Sequence, residues 1–176
     1  NFKKRCAFLL ISYHSYRILG VGTYEQEEFT VKLSTRGRYA LRMMLDIALH
    51  PNETSVSLKS IAQRQEISVK YLEQIVTPLV RGGYLRANRG AQGGYQLSRP
   101  AEEYPVGMIL RTIEGSLSPV TCLNETDCSR KCYCATLEVY RKIDQAIDSV
   151  VDNITLSELV RLQHEKWGGE EPPEDT

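Results

Sequence analysis

The chain has 176 residues, of which 41% are apolar, and its formal net charge is zero. This length suits one domain with appendages, and because no run of about eighteen apolar residues occurs, we expect no membrane span. The neutral total hides an asymmetry. Residues 32–100 hold eleven Lys/Arg and four Asp/Glu, a net charge of +7, whereas residues 101–176 hold seven and fifteen, a net charge of −8. A basic segment joined to an acidic one indicates a polyanionic partner for the first only.

Residues 1–30 precede the basic segment and differ from it. Three basic residues (3–5) before a short apolar run (6–11) resemble a weak signal peptide, although polar residues interrupt the run. A second interpretation fits better, because Gln-Glu-Glu at 26–28 can be encoded by a ribosome-binding sequence and Val31 by a GTG start codon. We therefore expect residues 1–30 to be a translated leader or a disordered extension.

Three helices are predicted in the basic segment. Apolar residues spaced i, i+4 predict a largely buried first helix over 35–50. Ser57 is the predicted N-cap of a second helix over 58–65, and Ser68 that of a third helix running to about residue 81. Pro78 removes one backbone hydrogen bond from the third helix, so we expect a bend or an end near it.

Two strands, 84–88 and 94–98, follow the helices and are joined by the glycine-rich turn RGAQG. Helix, helix–turn–helix and hairpin in this order are typical of a winged helix-turn-helix module, here 31–100, in which the second helix of the pair enters the major groove of DNA. The predicted contacts from this helix are Ser68, Lys70, Tyr71, Glu73 and Gln74.

The chemistry of these side chains suits base and phosphate recognition. Gln74 can bond adenine and Glu73 can accept from cytosine N4, although an ordinary solvated helix face is the alternative for this pair. The wing adds Arg86, Arg89 and Gly90, and the arginine at its tip suits a narrow minor groove. On the first helix, Arg36, Arg38 and Arg42 are expected to contact phosphate or to form ion pairs, such as Arg42 with Asp46.

The acidic segment predicts a second functional part over 101–163. A fourth helix covers 105–115, a loop 116–133 and a long helix 134–152. An apolar heptad seam on the long helix favours a homodimer, with packing inside the domain as the alternative; its members are Tyr140, Ile143, Ile147, Val150 and Ile154. A capping box at 155–158 opens a last helix, and the acidic tail 164–176 is expected to be disordered.

Four of the five cysteines lie within thirteen residues, at 122, 128, 132 and 134. Clustered thiolates suit an iron–sulfur cluster or zinc, but the paired C-x2-C knuckles of structural zinc sites are absent. Free thiols or a reversible disulfide are the remaining alternatives. A thiol redox enzyme using Cys132-x-Cys134 is disfavoured, because neither a C-x-x-C motif nor a βαβ pattern is found. We therefore expect a regulator and not an enzyme.

Four stretches carry a resemblance to a known family: VKLSTRGRYALRMMLDIAL, ISVKYLEQIVTPLVRGGYL, RGAQGGY and VDNITLSELV. Together they resemble the Rrf2 family of dimeric bacterial repressors over about residues 31–163, and most closely its iron–sulfur regulator (IscR) branch. The family also includes nitric-oxide sensors and cysteine-metabolism regulators, which are the alternative functions.

The resemblance implies that Cys122, Cys128 and Cys134 are ligands of an iron–sulfur cluster, 2Fe–2S in preference to 4Fe–4S. A histidine ligand in related proteins is replaced here by Leu137, and an aspartate ligand of another branch by Arg38, so neither can complete the site. Cys132 is the candidate fourth ligand if residues 132–134 are extended, and a small thiol or water is another.

These features predict a mainly α protein, with a winged helix-turn-helix, a β-hairpin wing and a long C-terminal dimerisation helix. The expected function is that of a cytoplasmic, homodimeric transcriptional repressor. It binds double-stranded DNA at a palindromic operator and controls iron–sulfur cluster assembly genes.

Overall fold

The structure is a computed structural model that describes residues 33–51, 54–90, 93–123 and 128–168. Six α-helices and one antiparallel two-stranded sheet form within these residues. The helices are α1 (Thr35–Leu49), α2 (Leu58–Gln65), α3 (Val69–Arg81), α4 (Val106–Glu114), α5 (Thr136–Val151) and α6 (Leu156–Lys166), and the strands are β1 (Leu85–Asn88) and β2 (Gly94–Leu97). The predicted fold class, mainly helical with a β-hairpin, is confirmed. The predicted leader 1–30 and residues 169–176 of the predicted tail lie outside the described residues, and α6 continues three residues into that tail.

Serine side chains cap the three helices of the basic segment, and the sequence predicts two of these caps, Ser57 and Ser68. Ser57 accepts a hydrogen bond from the backbone N–H of Ser60 at 3.0 Å, and Ser68 accepts one from Tyr71 at 3.3 Å. The expected bend or end at Pro78 does not stop α3, which continues to Arg81. Packing of its apolar face explains this, because residues 72, 75, 76 and 79 are all buried.

A single core lies between α1, α3 and α4. The apolar residues of α4 at 106, 109, 110 and 113 are buried. Tyr104, just before α4, is fully buried. Its hydroxyl donates to the carbonyl of Tyr84 at 2.7 Å and accepts from the backbone N–H groups of Ser98 and Arg99 at 3.0 and 3.2 Å. The ring therefore fastens both ends of the hairpin to the start of α4.

The suggested ion pair between Arg42 and Asp46 is wrong. Asp46 is only 1% exposed, and it pairs with Arg64 of α2 at 2.7 Å. Gln65 donates a second bond to the same carboxylate at 2.7 Å. Arg42 instead donates to the side chain and the carbonyl of Gln65. The i, i+4 spacing suggested a local pair on the surface, but Asp46 faces α2, where a buried carboxylate needs a cation.

A short backbone bridge joins the wing to the segment before α2. Strand β1 pairs antiparallel with β2, with Leu85 opposite Leu97. Val56, just before α2, forms a β-bridge with Tyr95 through two backbone hydrogen bonds of 2.8 and 2.9 Å. A Cβ on Gly94 would overlap the carbonyl of Val56. Only glycine allows this close approach of the two backbones, so the root of the wing is fixed against the segment that leads into α2.

The second part of the chain returns to the core at the start of α6. The backbone N–H of Val106 donates to Ile154 at 2.8 Å, and that of Leu156 donates to Tyr104 at 2.9 Å. Thr155 caps α6 by accepting from the N–H of Glu158, so the predicted cap is present. Within the described ranges, no helix is long and apolar enough to cross a membrane.

Candidate DNA-binding surface and cysteine loop

The polar face of α3 is open to solvent. Ser68, Lys70, Glu73 and Gln74 are all exposed, and α3 presents its apolar stripe to the core on the opposite side. The hydroxyl of Ser68 is occupied by its capping bond but stays exposed. Four of the five residues predicted to read DNA from this helix therefore share one accessible face, with side-chain donors and acceptors that suit base edges and phosphates.

Tyr71 has a different environment from its four neighbours. Its ring is half-buried and packs edge-on against Tyr39 of α1, with the ring centroids 5.6 Å apart. This contact holds α3 against α1. The ring of Tyr71 therefore stabilises the position of α3. Only the exposed part of Tyr71 is available for the predicted contact with DNA.

A shallow groove of about 760 Å³ runs beside the exposed face of α3. Three cations line it, Arg36, Lys70 and Arg81. The rest of the lining is formed by Glu73, Gln74, Thr77 and Pro78 of α3 and by Thr112 of α4. The groove adds Arg81 to the cations that the sequence had singled out on this side.

Arg36 is committed to the protein backbone. Its Nη2 donates to the carbonyl of Gln74 at 3.2 Å. This carbonyl lies four residues before Pro78, and proline has no N–H with which to bond it. Arg36 therefore satisfies the acceptor that Pro78 leaves open in α3, while the rest of its guanidinium stays exposed. Arg36 and Pro78 were each noted in the sequence, but the hydrogen bond from Arg36 to the carbonyl that Pro78 leaves open was not predicted.

The wing presents its arginines to solvent, as predicted. Arg86 on β1 and Arg89 beyond its end are both exposed. Gly90 has a φ of 124°, a backbone conformation that residues other than glycine rarely adopt. Its carbonyl accepts a hydrogen bond from the N–H of Gly93 at 3.0 Å. The turn therefore depends on glycine. Residues 91 and 92 at the tip lie outside the described residues.

The cysteine loop lies between α4 and α5 and contains two short 3-10 turns, Thr121–Leu123 and Lys131–Tyr133. Cys122, Cys128 and Cys134 are half-buried, and Cys132 is exposed. Among the described residues, which leave out 124–127, no three His, Cys, Asp or Glu side chains come close enough to hold a metal ion. The described part of the loop thus carries the four thiols without bringing three ligands together.

The surroundings of Cys134 favour its thiolate form. It precedes α5 by two residues, and its Sγ lies 3.1 Å from Oγ1 of Thr136. A hydrogen bond from this hydroxyl, followed by the backbone N–H of Leu137, lowers the pKa of the Cys134 thiol; the charge of Arg130 adds a smaller effect. Thiolates are the form that binds iron or zinc.

The structure bears on the fourth ligand position at two residues, Cys132 and Leu137. The predicted extended conformation, which would direct Cys132 and Cys134 the same way, is not observed. Residues Lys131–Tyr133 form a 3-10 turn instead, in which the N–H of Tyr133 donates to the carbonyl of Arg130 at 3.1 Å. Leu137, which the family resemblance excluded as a ligand, is buried. It serves as an apolar anchor for the start of α5. The soft donor set still fits an iron–sulfur cluster chemically.

Helix α5 has an uncovered apolar stripe. Val139 and Val150 are 56% exposed and Ile143 is 39% exposed. Ile143 and Val150 belong to the predicted heptad seam, while Tyr140 and Ile147 in the same seam are half-buried. A repeated apolar stripe on one helix face is typical of a helix that packs against another helix.

Comparison with known proteins agrees with these features. The model of the Rrf2 family, described as iron-dependent transcriptional regulators, matches residues 33–162. The protein rrf2 of Nitratidesulfovibrio vulgaris is 44% identical over 132 residues, which are 74% of this chain and 88% of that protein. The transcriptional regulator IscR of Serratia proteamaculans is 38% identical over 133 residues, which are 76% of this chain and 81% of that protein.

Solved structures give the same fold. The global cysteine regulator CymR of B. subtilis superposes with a TM-score of 0.66 at 38% identity, covering 76% of this chain and 98% of that one. IscR of T. potens gives a TM-score of 0.64 at 40% identity, covering 77% and 90%. The matched family and the Serratia relative are described as transcriptional regulators, in agreement with the expectation of a regulator and not an enzyme. The family match spans well over half of the sequence, and the chain belongs to the Rrf2 family of transcriptional regulators.

Proposed function

We propose that this regulator is a homodimeric repressor of iron–sulfur cluster assembly genes, which senses cluster status through Cys122, Cys128 and Cys134. One observation carries the proposal: the exposed polar face of α3 and the exposed wing arginines belong to a segment of net charge +7, and the same chain continues into a loop with four thiols. Because DNA is the ligand, its place of action is the bacterial cytoplasm.

The reading head combines two kinds of contact. Gln74 and Glu73 are exposed near the start of α3, where they can meet base edges, and Arg89 at the wing suits the minor groove. Lys70 is an exposed point charge that suits a phosphate. A partner subunit repeats this surface across a two-fold axis, so the operator is roughly palindromic.

Base reading and phosphate binding respond differently to mutation. Gln74→Ala should lose on the order of 1–3 kcal/mol on the operator and much less on random duplex. Lys70→Ala should weaken both duplexes alike and flatten the salt dependence. Glu73→Ala should broaden the range of accepted sites, since it removes a carboxylate that penalises bases without a donor. The measurement is the affinity for operator and random DNA over a salt series; equal losses for Gln74→Ala on both would refute base reading by α3.

The three evenly spaced cysteines are proposed to hold the cluster, 2Fe–2S in preference to 4Fe–4S. A small exogenous thiol or water takes the fourth position, or Cys132 does if residues 131–133 leave their 3-10 turn. A bound cluster supplies a redox-active iron group whose gain or loss changes the charge and order of the loop. Thr136 supports ligation by keeping Cys134 ready to ionise.

Iron and sulfide analysis after anaerobic purification tests the ligand set. Alanine in place of Cys122, Cys128 or Cys134 should each abolish bound iron, because each removes one thiolate. Cys132→Ala is the matched control in the same loop, and it should retain iron unless it is the fourth ligand. Full iron and sulfide in all four variants would show that the cysteines do not hold a cluster.

A cysteine-metabolism regulator is the second candidate. The likeness to CymR, the global cysteine regulator of B. subtilis, is as close as that to an IscR structure. A nitric-oxide-responsive repressor of the same family is a further alternative. A colourless, iron-free wild type that still prefers one operator would favour the cysteine-metabolism regulator. A coloured protein that loses its visible absorption with nitric oxide would favour the nitric-oxide-responsive repressor.

A further inference from the structure

The N-terminal cap of α1 is assembled from two helices that are distant in sequence. The hydroxyl of Ser34 accepts from the backbone N–H of Gly37 at 3.2 Å. In a capping box, a Glu or Gln at the position of Gly37 would also accept from the backbone N–H of the cap residue. The carboxylate of Glu114, the last residue of α4, takes this role. Its Oε1 accepts from the N–H of Ser34 at 3.1 Å and from the Ser34 hydroxyl at 2.6 Å.

Gly37 makes room for this carboxylate. Gly37 is buried, and a Cβ at its position would overlap Oε1 of Glu114. A carboxylate at the N-terminus of a helix also interacts favourably with the helix dipole. The end of α4 and the start of α1 are therefore held together by a charged contact that requires glycine opposite the carboxylate.

The same turn of α1 holds the DNA-reading helix. Arg36 directly precedes Gly37, and its Nη2 donates to the carbonyl of Gln74 at 3.2 Å. Since Pro78 cannot supply the helical donor for this carbonyl, Arg36 is the partner that α3 has there. A movement of the α1 cap therefore moves the group that supports the middle of α3.

The cysteine loop begins where the carboxylate contact ends. Gly115 follows Glu114 with φ 82, and the chain continues into the loop. Helix α4 is also tied to α5, because Arg111 donates to Asp152 at 2.6 Å and bonds Asp148 as well. A change in the loop or in α5 consequently reaches the end of α4.

We propose that Glu114 is a positioning residue that couples the start of the cysteine loop to the DNA-reading helix, by completing the cap of α1 whose Arg36 supports α3 at Gln74. The inference rests on the proposed function in that α3 reads DNA and the loop carries the signal. The hydrogen bonds of its carboxylate join Glu114 to Ser34 at the start of α1. Its effect on DNA is indirect, through the placement of α1.

A double-mutant cycle tests the coupling in iron-free protein. Glu114→Ala and Arg36→Ala should each lower operator affinity by about threefold to tenfold, with a smaller loss on random duplex for Glu114→Ala. The affinity of the double variant for the operator should be no lower than that of the single variant with the lower affinity, since both changes interrupt the same series of contacts from α4 through α1 to α3. Losses that multiply in the double variant would overturn the proposal.

Two further variants separate positioning from general stability. Gly37→Ala favours the helix but displaces the carboxylate, so it should weaken operator binding as Glu114→Ala does, without a lower Tm. Glu114→Gln offers an amide oxygen to the same two donors and should bind nearly as the wild type does. Arg161→Ala, which removes exposed ion pairs within α6, is the control and should change nothing. Wild-type operator affinity in Gly37→Ala would refute the role of Glu114.

The wild type distinguishes failure of this inference from failure of the proposed function. If the wild type does not prefer operator over random DNA, the proposed function fails; hydrogen exchange of α3 amides then decides the inference, with faster exchange expected in Glu114→Ala and unchanged exchange overturning it. If the wild type binds operator differently with and without iron, Glu114→Ala should reduce that difference to within about twofold at unchanged iron content. A difference as large as in the wild type would overturn the coupling alone.

Discussion

Removing Arg64 should destabilise the module severely, because it would leave the buried carboxylate of Asp46 without its cation. The side chains of Arg64 and Asp46 are 10% and 2% exposed, and their closest atoms are 2.7 Å apart. Gln65 would remain as a neutral donor to the carboxylate. Breaking one side of such a buried pair costs about 3–5 kcal/mol, which is a large share of the 5–15 kcal/mol or so that holds a typical domain folded.

The pair of Arg64→Met and Asp46→Leu tests the origin of this loss. Each single variant should lower the free energy of unfolding, whereas the double variant should recover most of the loss, since no charge is then left buried. Urea denaturation followed by circular dichroism, at one protein concentration, measures all four proteins. A loss below about 1 kcal/mol for Arg64→Met, or a double variant as unstable as the two losses added together, would refute the reasoning.

Three further predictions concern other parts of the molecule. Ile147→Glu should convert a dimer to monomers that bind DNA poorly, because it places a charge in the apolar seam of α5; analytical ultracentrifugation checks this, and a monomeric wild type would contradict it. Tyr104→Phe should cost about 1–3 kcal/mol in urea denaturation, because it removes the acceptor of the N–H of Arg99 and leaves the carbonyl of Tyr84 with only the N–H of Ser98, and an unchanged midpoint would count against this. Thr136→Val should raise the pKa of Cys134, so alkylation of this thiol in reduced, iron-free protein should need a higher pH; an unshifted rate profile by mass spectrometry would exclude the hydroxyl as donor.

Local patterns predicted the elements of the fold well. Ser57 and Ser68 precede their helices as caps, and the glycines of the hairpin turn separate two strands, because caps and turns depend on a few adjacent residues. The exposed face of α3 followed from the spacing of its buried residues. In each case the physical cause lies within one or two turns of chain.

Contacts between distant segments were not predictable in the same way. Asp46 was expected to pair one turn away, yet its cation is in the next helix. Glu114 completes a cap that lies 80 residues before it, and the only sequence signal was a glycine where a capping box has Glu or Gln. The ligand set of the cysteine loop belongs to this second class, since even spacing shows that the thiols are neighbours in the chain and leaves their arrangement in space open.

The unequal lengths of α4 and α5 have a geometric consequence. The two helices run antiparallel, because Gly107 lies opposite Asp152 while Arg111 also reaches Asp148. Counting back from that point, residues 136–144 of α5 project past the end of α4 by about 13 Å at 1.5 Å per residue. Val139 and Ile143 lie on this overhang and are exposed, and Cys134 lies just beyond its tip. The thiol-bearing end of the protein thus extends beyond α4 and is held through the buried Leu137 and the turn Thr121–Leu123. A second subunit that packs against the exposed apolar stripe would add support on the opposite side of this segment.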